Sequence, residues 1–573
     1  MIAPLTVLKF GSSVLCDESA LPHAVSEIYR YVRKGHRVLA VVSAFGSTTD
    51  ELLARAKNLA EEPSPHMLAH LLATGETTSA AMLGLALEGA GIPARKLSTR
   101  CLATVGPVLD SALVALDIEA VERCFERGAV AILPGFVGYN DAGEECLLGR
   151  GGSDLTALFV AQQLGAEDCV LVKDVDGLYE HDPAQSGPAP LRFEEIEHQA
   201  AIDLSCRVVQ PKALRFAQEH DLPFRVGSLG SEIHTLVGSG QTRLEAQPSA
   251  AQALPRSVAL LGLGAVGMGV YQRIVERSDQ FRIARILVRN IERHVQAGVP
   301  RELLTTRIED IFASDASIVV ELMGGLEPAA SIALEASRRG LDVVTANKAI
   351  LAERGDELLQ SAFIGDTRLL YSASVGGVVP AIETVRRVAG RAGVQSFEGI
   401  LNGTANFILD ELSGGASYQS ALAEAQARGL AEADPTLDLD GTDVAHKVRV
   451  LAREAFGNVP LKWTEKSGLL DLDPARLKAA REKGESLKLV GSCAQTPTGP
   501  VAAVRLVSLP EANPLAGLRA EGNGILVVAQ SGERELWIGK GAGRWPTTEA
   551  VLADLLELRT PALASAQRKA RAS

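Results

Sequence analysis

Short apolar, β-branched runs alternate with helix-like stretches along this chain, and the alternation breaks once and then restarts. LTVLKF, RVLAVVSA, AVAILPGF and CVLVKD form the first series; VALLGLGAVG, RIARILVRN, ASIVVELMGG and LDVVTANK form the second. Runs of this kind suit strands covered on both faces, so each series predicts a parallel sheet with helices on either side. The break ends in QPSAAQALPR, whose small and polar residues and two prolines carry no apolar period. It places a linker at 239–255, between a first unit at 1–238 and a second α/β domain at 256–370. Beyond Tyr371 the pattern loosens into mixed strands and helices. That predicts an α+β substrate-binding domain at 371–519, a segment at 520–560 returning to the nucleotide-binding sheet, and a tail at 561–573. The 573 residues therefore divide into three or four units, each long enough to bury a core.

The formal net charge of -13 disfavours nucleic acid and membrane surfaces as partners, because neutralising phosphates takes an excess of Lys and Arg. Small-molecule chemistry is the expectation. MIAPLTVLKF has no basic stretch ahead of a long apolar run, and no run of about 18 apolar residues occurs, so a cytoplasmic, unanchored protein is expected. The 7 cysteines are scattered without a CxxC pair and suggest neither a disulfide framework nor a zinc site.

Lys9 ends a strand and meets the small-residue turn Gly11-Ser12-Ser13, where backbone amides can approach a phosphate; a solvated strand-end lysine is the plainer alternative. Further on, LGRGGSD opens a helix. Its three glycines flank Arg150 and let the main chain approach an anion, while Ser153 and Asp154 are available as helix caps. Read physically, an anion site and an ordinary helix cap remain equal alternatives here.

KFGSSV, VVSAFGSTTD, ATGETTSA, GFVGYNDAGEECLLGRGGSDLTA and VKDVDGLYEHDP stand in the order found in aspartate kinases, and the first unit resembles that branch of the amino-acid kinase family. The resemblance implies an amino-acid-kinase-like αβα sandwich. It implies that Lys9 neutralises the transferring phosphoryl group and that Asp154 organises the site around it. Ser43, Thr49, Glu76 and Arg150 would bind aspartate, the planar Arg150 fork suiting a carboxylate. Gly11, Ser12, Lys173, Asp174, Tyr179, Asp182 and Lys212 would hold ATP with Mg2+, since phosphoryl transfer rests on positioning and charge neutralisation. The chain departs from the family pattern at Ser12, where a glycine is usual, at Val14, where a hydroxyl residue is usual, and at Gln210, where a histidine is usual. The paired βαββαβ regulatory modules common in aspartate kinases have no room before the second series. Threonine, lysine and methionine are therefore not expected to inhibit through them.

In the second series Gly262, Gly264 and Gly267 form GxGxxG between an apolar strand and a helix, the arrangement that brings a pyrophosphate onto a helix N-terminus. The next strand ends at Arg289-Asn290, where an acidic residue would select NAD, so NADP is favoured over NAD, although an arginine there is equally consistent with a solvated strand-end charge. Asp443 and Lys447 are four apart on one helix, a spacing equally consistent with a surface ion pair.

GLGAVG, ELMGG, TANK, YSASVGG, EGILNGTANFIL, GLAEADPTLDLDGTDVAHK and GKGAGRWPTTEAVLADL together resemble homoserine dehydrogenase over most of 256–560. The resemblance implies a Rossmann dinucleotide-binding domain followed by a mixed α+β substrate and dimerisation domain, in a homodimer or homotetramer. Lys447 would donate the proton, with Lys348 a second catalytic lysine. Glu432, Asp438 and Asp443 would bind the amino-alcohol substrate or orient the lysines. Gly262, Gly264, Ala265, Val266, Gly267, Arg289, Gly324, Thr345, Ser374 and Gly543 would line the cofactor. A monovalent cation, Na+, maps to the carbonyls of Val375, Gly377 and Val379, but Ser372 stands where the family carries an acid. The whole chain then reads as a bifunctional enzyme acting on aspartate, and on aspartate semialdehyde and homoserine. The rival is an active dehydrogenase joined to a non-catalytic kinase-like module that binds or oligomerises.

Overall fold

The computed structural model describes residues 3–126, 128, 130–183, 189–204, 208–245, 254–432 and 434–559. Residues 246–253 of the expected linker, the tail at 561–573 and Cys206 lie outside the described residues. The chain divides into two compact units, Ile2–Ala253 and Leu254–Ser573.

The first unit is organised on a nine-stranded sheet. From one edge its strands are Arg243–Leu244, Phe193–Glu197, His234–Gly238, Phe224–Ser228, Asp168–Lys173, Leu5–Phe10, Arg37–Val42, Val130–Pro134 and Ala94–Lys96. From Phe224–Ser228 to the Ala94–Lys96 edge every pair is parallel, as expected. Phe224–Ser228 meets His234–Gly238 antiparallel, because the few residues between them are too few for the crossover that parallel pairing needs. Val7, Leu39, Val41, Ala131, Leu133 and Leu171, from the central strands, are buried in one apolar core. A four-stranded sheet, ordered Ala112–Leu116, Leu102–Val105, Val137–Tyr139 and Glu145–Leu147, stands apart from it.

The second unit opens with six parallel strands ordered Leu304–Thr305, Phe281–Leu287, Arg256–Leu261, Ile318–Glu321, Asp342–Thr345 and Leu369–Leu370. The chain starts in the middle, winds to one edge and returns to the other, which leaves a crevice at the carboxyl end of the first strand, where a dinucleotide binds in this topology. A second six-stranded sheet runs Lys462–Lys466, Gly499–Leu509, Ser486–Thr496, Val394–Ile400, Gly522–Ala529, Arg534–Lys540. It is antiparallel except at its Lys462–Lys466 edge. The helix Arg544–Arg559 then returns to the helix Ala265–Val275. A Cβ at Gly269 would lie 2.3 Å from Thr548 Oγ1, and Arg273 pairs with Glu549 at 3.0 Å. Among the described residues no helix is long and apolar enough to cross a membrane.

Candidate functional site

In the first unit, parallel strands bring their carboxyl ends together and their last side chains converge. Lys9 lies near the end of Leu5–Phe10 and Lys173 ends the adjacent Asp168–Lys173. Asp154, in the first turn of the helix Gly152–Leu164, lies between them: Oδ1 is 2.8 Å from Lys9 Nζ and Oδ2 is 2.9 Å from Lys173 Nζ. All three are buried. Burial would raise the Asp154 carboxyl, but the two ammonium groups hold it below the usual range. Burial, reinforced by repulsion from Lys9, pulls Lys173 down to about 8 against the attraction of Asp154.

The helix cap is provided by the backbone instead. Gly151 is the N-cap, at φ +79°, with no side-chain hydrogen bond, which leaves Asp154 free to hold the lysines. The alternative in which Asp154 serves only the helix backbone is thereby overturned. Gly151 also admits Gln210, whose Cβ lies 2.4 Å from where a Gly151 Cβ would be. At Gly11 a Cβ would come within 2.9 Å of Lys9 Nζ, so the glycine leaves room for the ammonium group.

Glu76, on the helix Pro65–Gly89, is buried; the Ala44 N–H donates to its carboxylate, while Oε2 has no hydrogen-bond partner among the described residues. Burial raises its carboxyl to about 7, against the opposing pull of those backbone bonds and of Lys9. Ser43 follows the strand Arg37–Val42, its N–H donating to Phe10 O at 3.1 Å, and Thr49 lies in the first turn of Thr48–Leu59. Ser12, Arg150, Asp174 and Asp182 are exposed, and Ser13 Oγ donates to Asp174 at 3.2 Å. Tyr179 donates to Asp176 at 2.5 Å, and burial with that carboxylate raises its phenol. Lys212 does not reach the Lys9 cluster by any direct bond: its Nζ donates to Asp110 Oδ1 and to Leu148 O, each at 2.8 Å.

In the second unit, Gly262 stands at φ +96° after the strand Arg256–Leu261, and Gly264 caps the helix that begins at Ala265. A Cβ at Gly267 would lie 2.3 Å from Gly262 O, whereas one at Gly264 would meet nothing within 4 Å. The helix is thus seated tightly on the turn while the space over Gly264, beside Ala265 and Val266, is open. This fits a dinucleotide pyrophosphate. Arg289 is exposed after Phe281–Leu287, and Asn290 caps the next helix by accepting from Arg293 N at 3.1 Å.

Glu321 was not singled out within ELMGG. Buried at the end of Ile318–Glu321, it accepts from Met323 N at 2.8 Å and Gly324 N at 3.3 Å, and from Thr345 Oγ1 at 2.7 Å. Asn347 Nδ2 donates to Gly325 O at 2.7 Å. Thr345 is therefore fully buried with its hydroxyl engaged in tying two strand-end loops together, rather than presented to a cofactor. Gly324 is left-handed, at φ +72°, with open space where a Cβ would be.

Lys348 begins the helix Lys348–Ile364, and its Nζ lies 2.8 Å from Asp443 Oδ1. Asp443 Oδ2 accepts from Lys447 Nζ, also at 2.8 Å, on the helix Thr442–Phe456. With Asp443 3% and Lys447 6% exposed, this is no surface pair. Lys447 also donates to Leu401 O at 2.6 Å, and Asn402 Nδ2 lies 2.8 Å from both Asp438 Oδ1 and Asp443 Oδ2. Burial opposes ionisation of Asp443, but Lys447 and Lys348 outweigh it and hold the carboxyl far down. Asp443 raises Lys348, whereas burial, aided by Lys348, lowers Lys447. Burial and the neighbouring Asp443 raise Asp438. Glu432 is exposed, and its charge contributes to holding Lys348 protonated.

Ser374 is buried and donates to Tyr371 O at 2.6 Å, and Gly543, at φ +110°, precedes the returning helix. Val375, Gly377 and Val379 lie on the intervening turn, where Val379 O accepts from Ala381 N at 2.7 Å. The Ser372 N–H and hydroxyl donate to the two oxygens of Asp554, at 3.0 and 2.8 Å. Val379 O and the Asp554 carboxylate thus each accept hydrogen bonds within this turn and keep further lone pairs.

These geometries agree with what the chain is similar to. The description Amino acid kinase family matches residues 4–228, Homoserine dehydrogenase, NAD binding domain matches 262–372, and Homoserine dehydrogenase matches 380–556. A homoserine dehydrogenase of Mycobacterium bovis is 39% identical over 317 residues, covering 53% of this chain and 72% of its own length. One of Bacillus subtilis is 34% identical over 310 residues, covering 52% and 72%. Among solved structures, a homoserine dehydrogenase from Thiobacillus denitrificans has a TM-score of 0.50 at 35% identity, covering 53% of this chain and 74% of that one. The chain belongs to the homoserine dehydrogenase family and carries, ahead of that enzyme, an amino acid kinase domain, the arrangement of a bifunctional aspartate kinase and homoserine dehydrogenase.

Proposed function

We propose that the first unit transfers the γ-phosphoryl group of ATP to the side-chain carboxylate of L-aspartate, and that the second reduces L-aspartate 4-semialdehyde to L-homoserine with NADPH. The observation that carries the reading is common to both units: a buried aspartate held between two lysines, Asp154 with Lys9 and Lys173, and Asp443 with Lys348 and Lys447.

In the kinase, Lys9 and Lys173 offset the charge of the phosphoryl group, and Asp154 keeps both aimed at one point. Buried Glu76 suits the substrate ammonium group and Arg150 its carboxylate. No group of three or more His, Cys, Asp or Glu side chains among the described residues is placed to hold a metal, so Mg2+ would arrive on the nucleotide phosphates, as it commonly does.

In the dehydrogenase, NADPH supplies the hydride. Lys447 holds the proton for the substrate oxygen; Asp443 keeps its ammonium group oriented, and burial lowers its proton affinity toward the range useful for transfer. Arg289, exposed and free of ion pairs among the described residues, supports NADP over NAD. Hydroxylamine trapping of acyl phosphate from ATP and aspartate, run beside homoserine-dependent NADP reduction, tests both activities on one purified chain. Both signals are expected. A dehydrogenase signal alone would leave the kinase unit a binding or oligomerisation module.

A further inference from the structure

The ion pair between Lys348 and Asp443 joins two helices of the second unit, and the same two helices meet again two turns further along. The helix Lys348–Ile364 is irregular at Arg354, whose φ of -127° and ψ of 20° are not helical. Beside the irregularity, a Cβ on Gly355 would lie 2.0 Å from Arg453 Nη1 and 2.7 Å from its Cζ. Arg453, on Thr442–Phe456, places its guanidinium where any other side chain would stand. Nη1 donates to Leu351 O at 2.8 Å, the acceptor that a straight helix pairs with the N–H of Gly355. Nε lies 3.0 Å from Asp356 Oδ1. One turn back, Arg449 Nη1 donates to Ala352 O and to Glu353, each at 3.3 Å.

We infer that Arg453, seated in the notch at Gly355, is a positioning residue for the dehydrogenase: it fixes the helix that carries Lys348 against the helix that carries Asp443 and Lys447. Lys348 opens its helix, so sliding or rolling that helix moves its Nζ relative to Asp443. A planar guanidinium that engages a carbonyl and a carboxylate at once fixes both motions, which a single-point contact does not. A displacement of about 1 Å far from the chemistry is enough to lower turnover by about 10²-fold. The inference rests on the reading that Lys348 and Lys447 act in the transfer.

The experiment compares Arg453→Met, which keeps an apolar stem, Gly355→Ala and the double variant in the full chain. Readouts are kcat and KM for homoserine, the pH profile of kcat, and the melting temperature. Arg453→Met and Gly355→Ala are each expected to lower kcat by about 10-fold or more, with little change in KM and a displaced pH profile. The double variant should be no slower than the slower single one, because both changes remove one contact. A wild-type kcat and pH profile in Arg453→Met with only a lower melting temperature would overturn the inference, as would losses that multiply in the double variant. Should Arg453→Met fail to fold, Gly355→Ala and Arg453→Lys carry the same comparison. Lys348→Ala is measured beside them: full turnover there would mean that the reading of the site has failed, a result independent of what Arg453 does.

Discussion

Asp443 Oδ1 lies 2.8 Å from Lys348 Nζ, so a carboxylate fixed on one helix holds a lysine at the start of another, while its second oxygen holds Lys447. Removing the carboxylate leaves the buried Lys447 ammonium group without its counter-charge and facing that of the half-exposed Lys348. Asp443→Ala is expected to lower homoserine turnover by about 10²-fold or more and to destabilise the second unit by about 3–5 kcal/mol. Steady-state kinetics with urea unfolding checks both. Full turnover in Asp443→Ala would exclude the carboxylate from the mechanism.

The glycine turn separates packing from binding. Gly267→Ala drives a Cβ to 2.3 Å from Gly262 O, whereas Gly264→Ala enters open space. Gly267→Ala is expected to destabilise the unit and weaken the cofactor together. Gly264→Ala should leave the melting temperature near wild type and still raise the dissociation constant of the dinucleotide by about 10-fold or more, because close approach of the pyrophosphate needs a bare backbone. Equal NADP affinity in Gly264→Ala and wild type would remove the pyrophosphate from that position.

Those glycines were legible in the sequence because a strand, a GxGxxG turn and a helix leave few alternatives for the backbone. The lysine clusters were less so. Asp443 and Lys447 show the four-residue spacing of countless exposed helices, and only the burial produced by the antiparallel sheet tells them apart. Glu321 was hidden for a similar reason, since it ends an otherwise apolar strand and its side-chain partner Thr345 lies 24 residues away, at the end of the neighbouring strand. The antiparallel return at Phe224–Ser228 was missed because apolar runs do not reveal strand direction; the shortness of the connection to His234 does. At Asp154 a helix cap and an anion site stood as equal alternatives; its bonds to Lys9 and Lys173 set the cap aside, and Gly151 closes the helix N-terminus without a side-chain hydrogen bond.

Lys9 meets Asp154 at 2.8 Å in a unit that contains no residue of the dehydrogenase site. Lys9→Ala is expected to abolish acyl-phosphate formation while homoserine oxidation stays within about twofold of wild type, since the two sites share no residue and independent sites behave additively. Measured on the same preparation, loss of both activities would show that the units are coupled.

The proposed preference for NADP rests on Arg289. Arg289→Ala is expected to raise KM for NADP by about 10- to 150-fold, the effect of losing a charge-assisted contact of about 1.5–3 kcal/mol, and to leave KM for NAD unchanged. A parallel rise for both cofactors would place Arg289 elsewhere on the nucleotide than at the 2′-phosphate.

Glu76 makes the stability of the kinase unit depend on pH. Its folded value, raised by burial to about 7 from 4.5, means that the folded state holds this proton more tightly than the unfolded chain. The stabilisation is fully present below pH about 4.5 and is lost as pH rises through about 7. At about 1.4 kcal/mol per unit, roughly 3 kcal/mol is at stake. Glu76→Gln keeps the shape and removes the titration, so wild type should lose stability relative to Glu76→Gln between pH 4.5 and 8. Aspartate should reduce that loss at pH 8, because its ammonium group pairs with the ionised carboxylate. Unfolding curves across that range, with and without aspartate, check both statements. A wild type that gains stability over Glu76→Gln as pH rises would mean that Glu76 is ionised and already paired in the free protein.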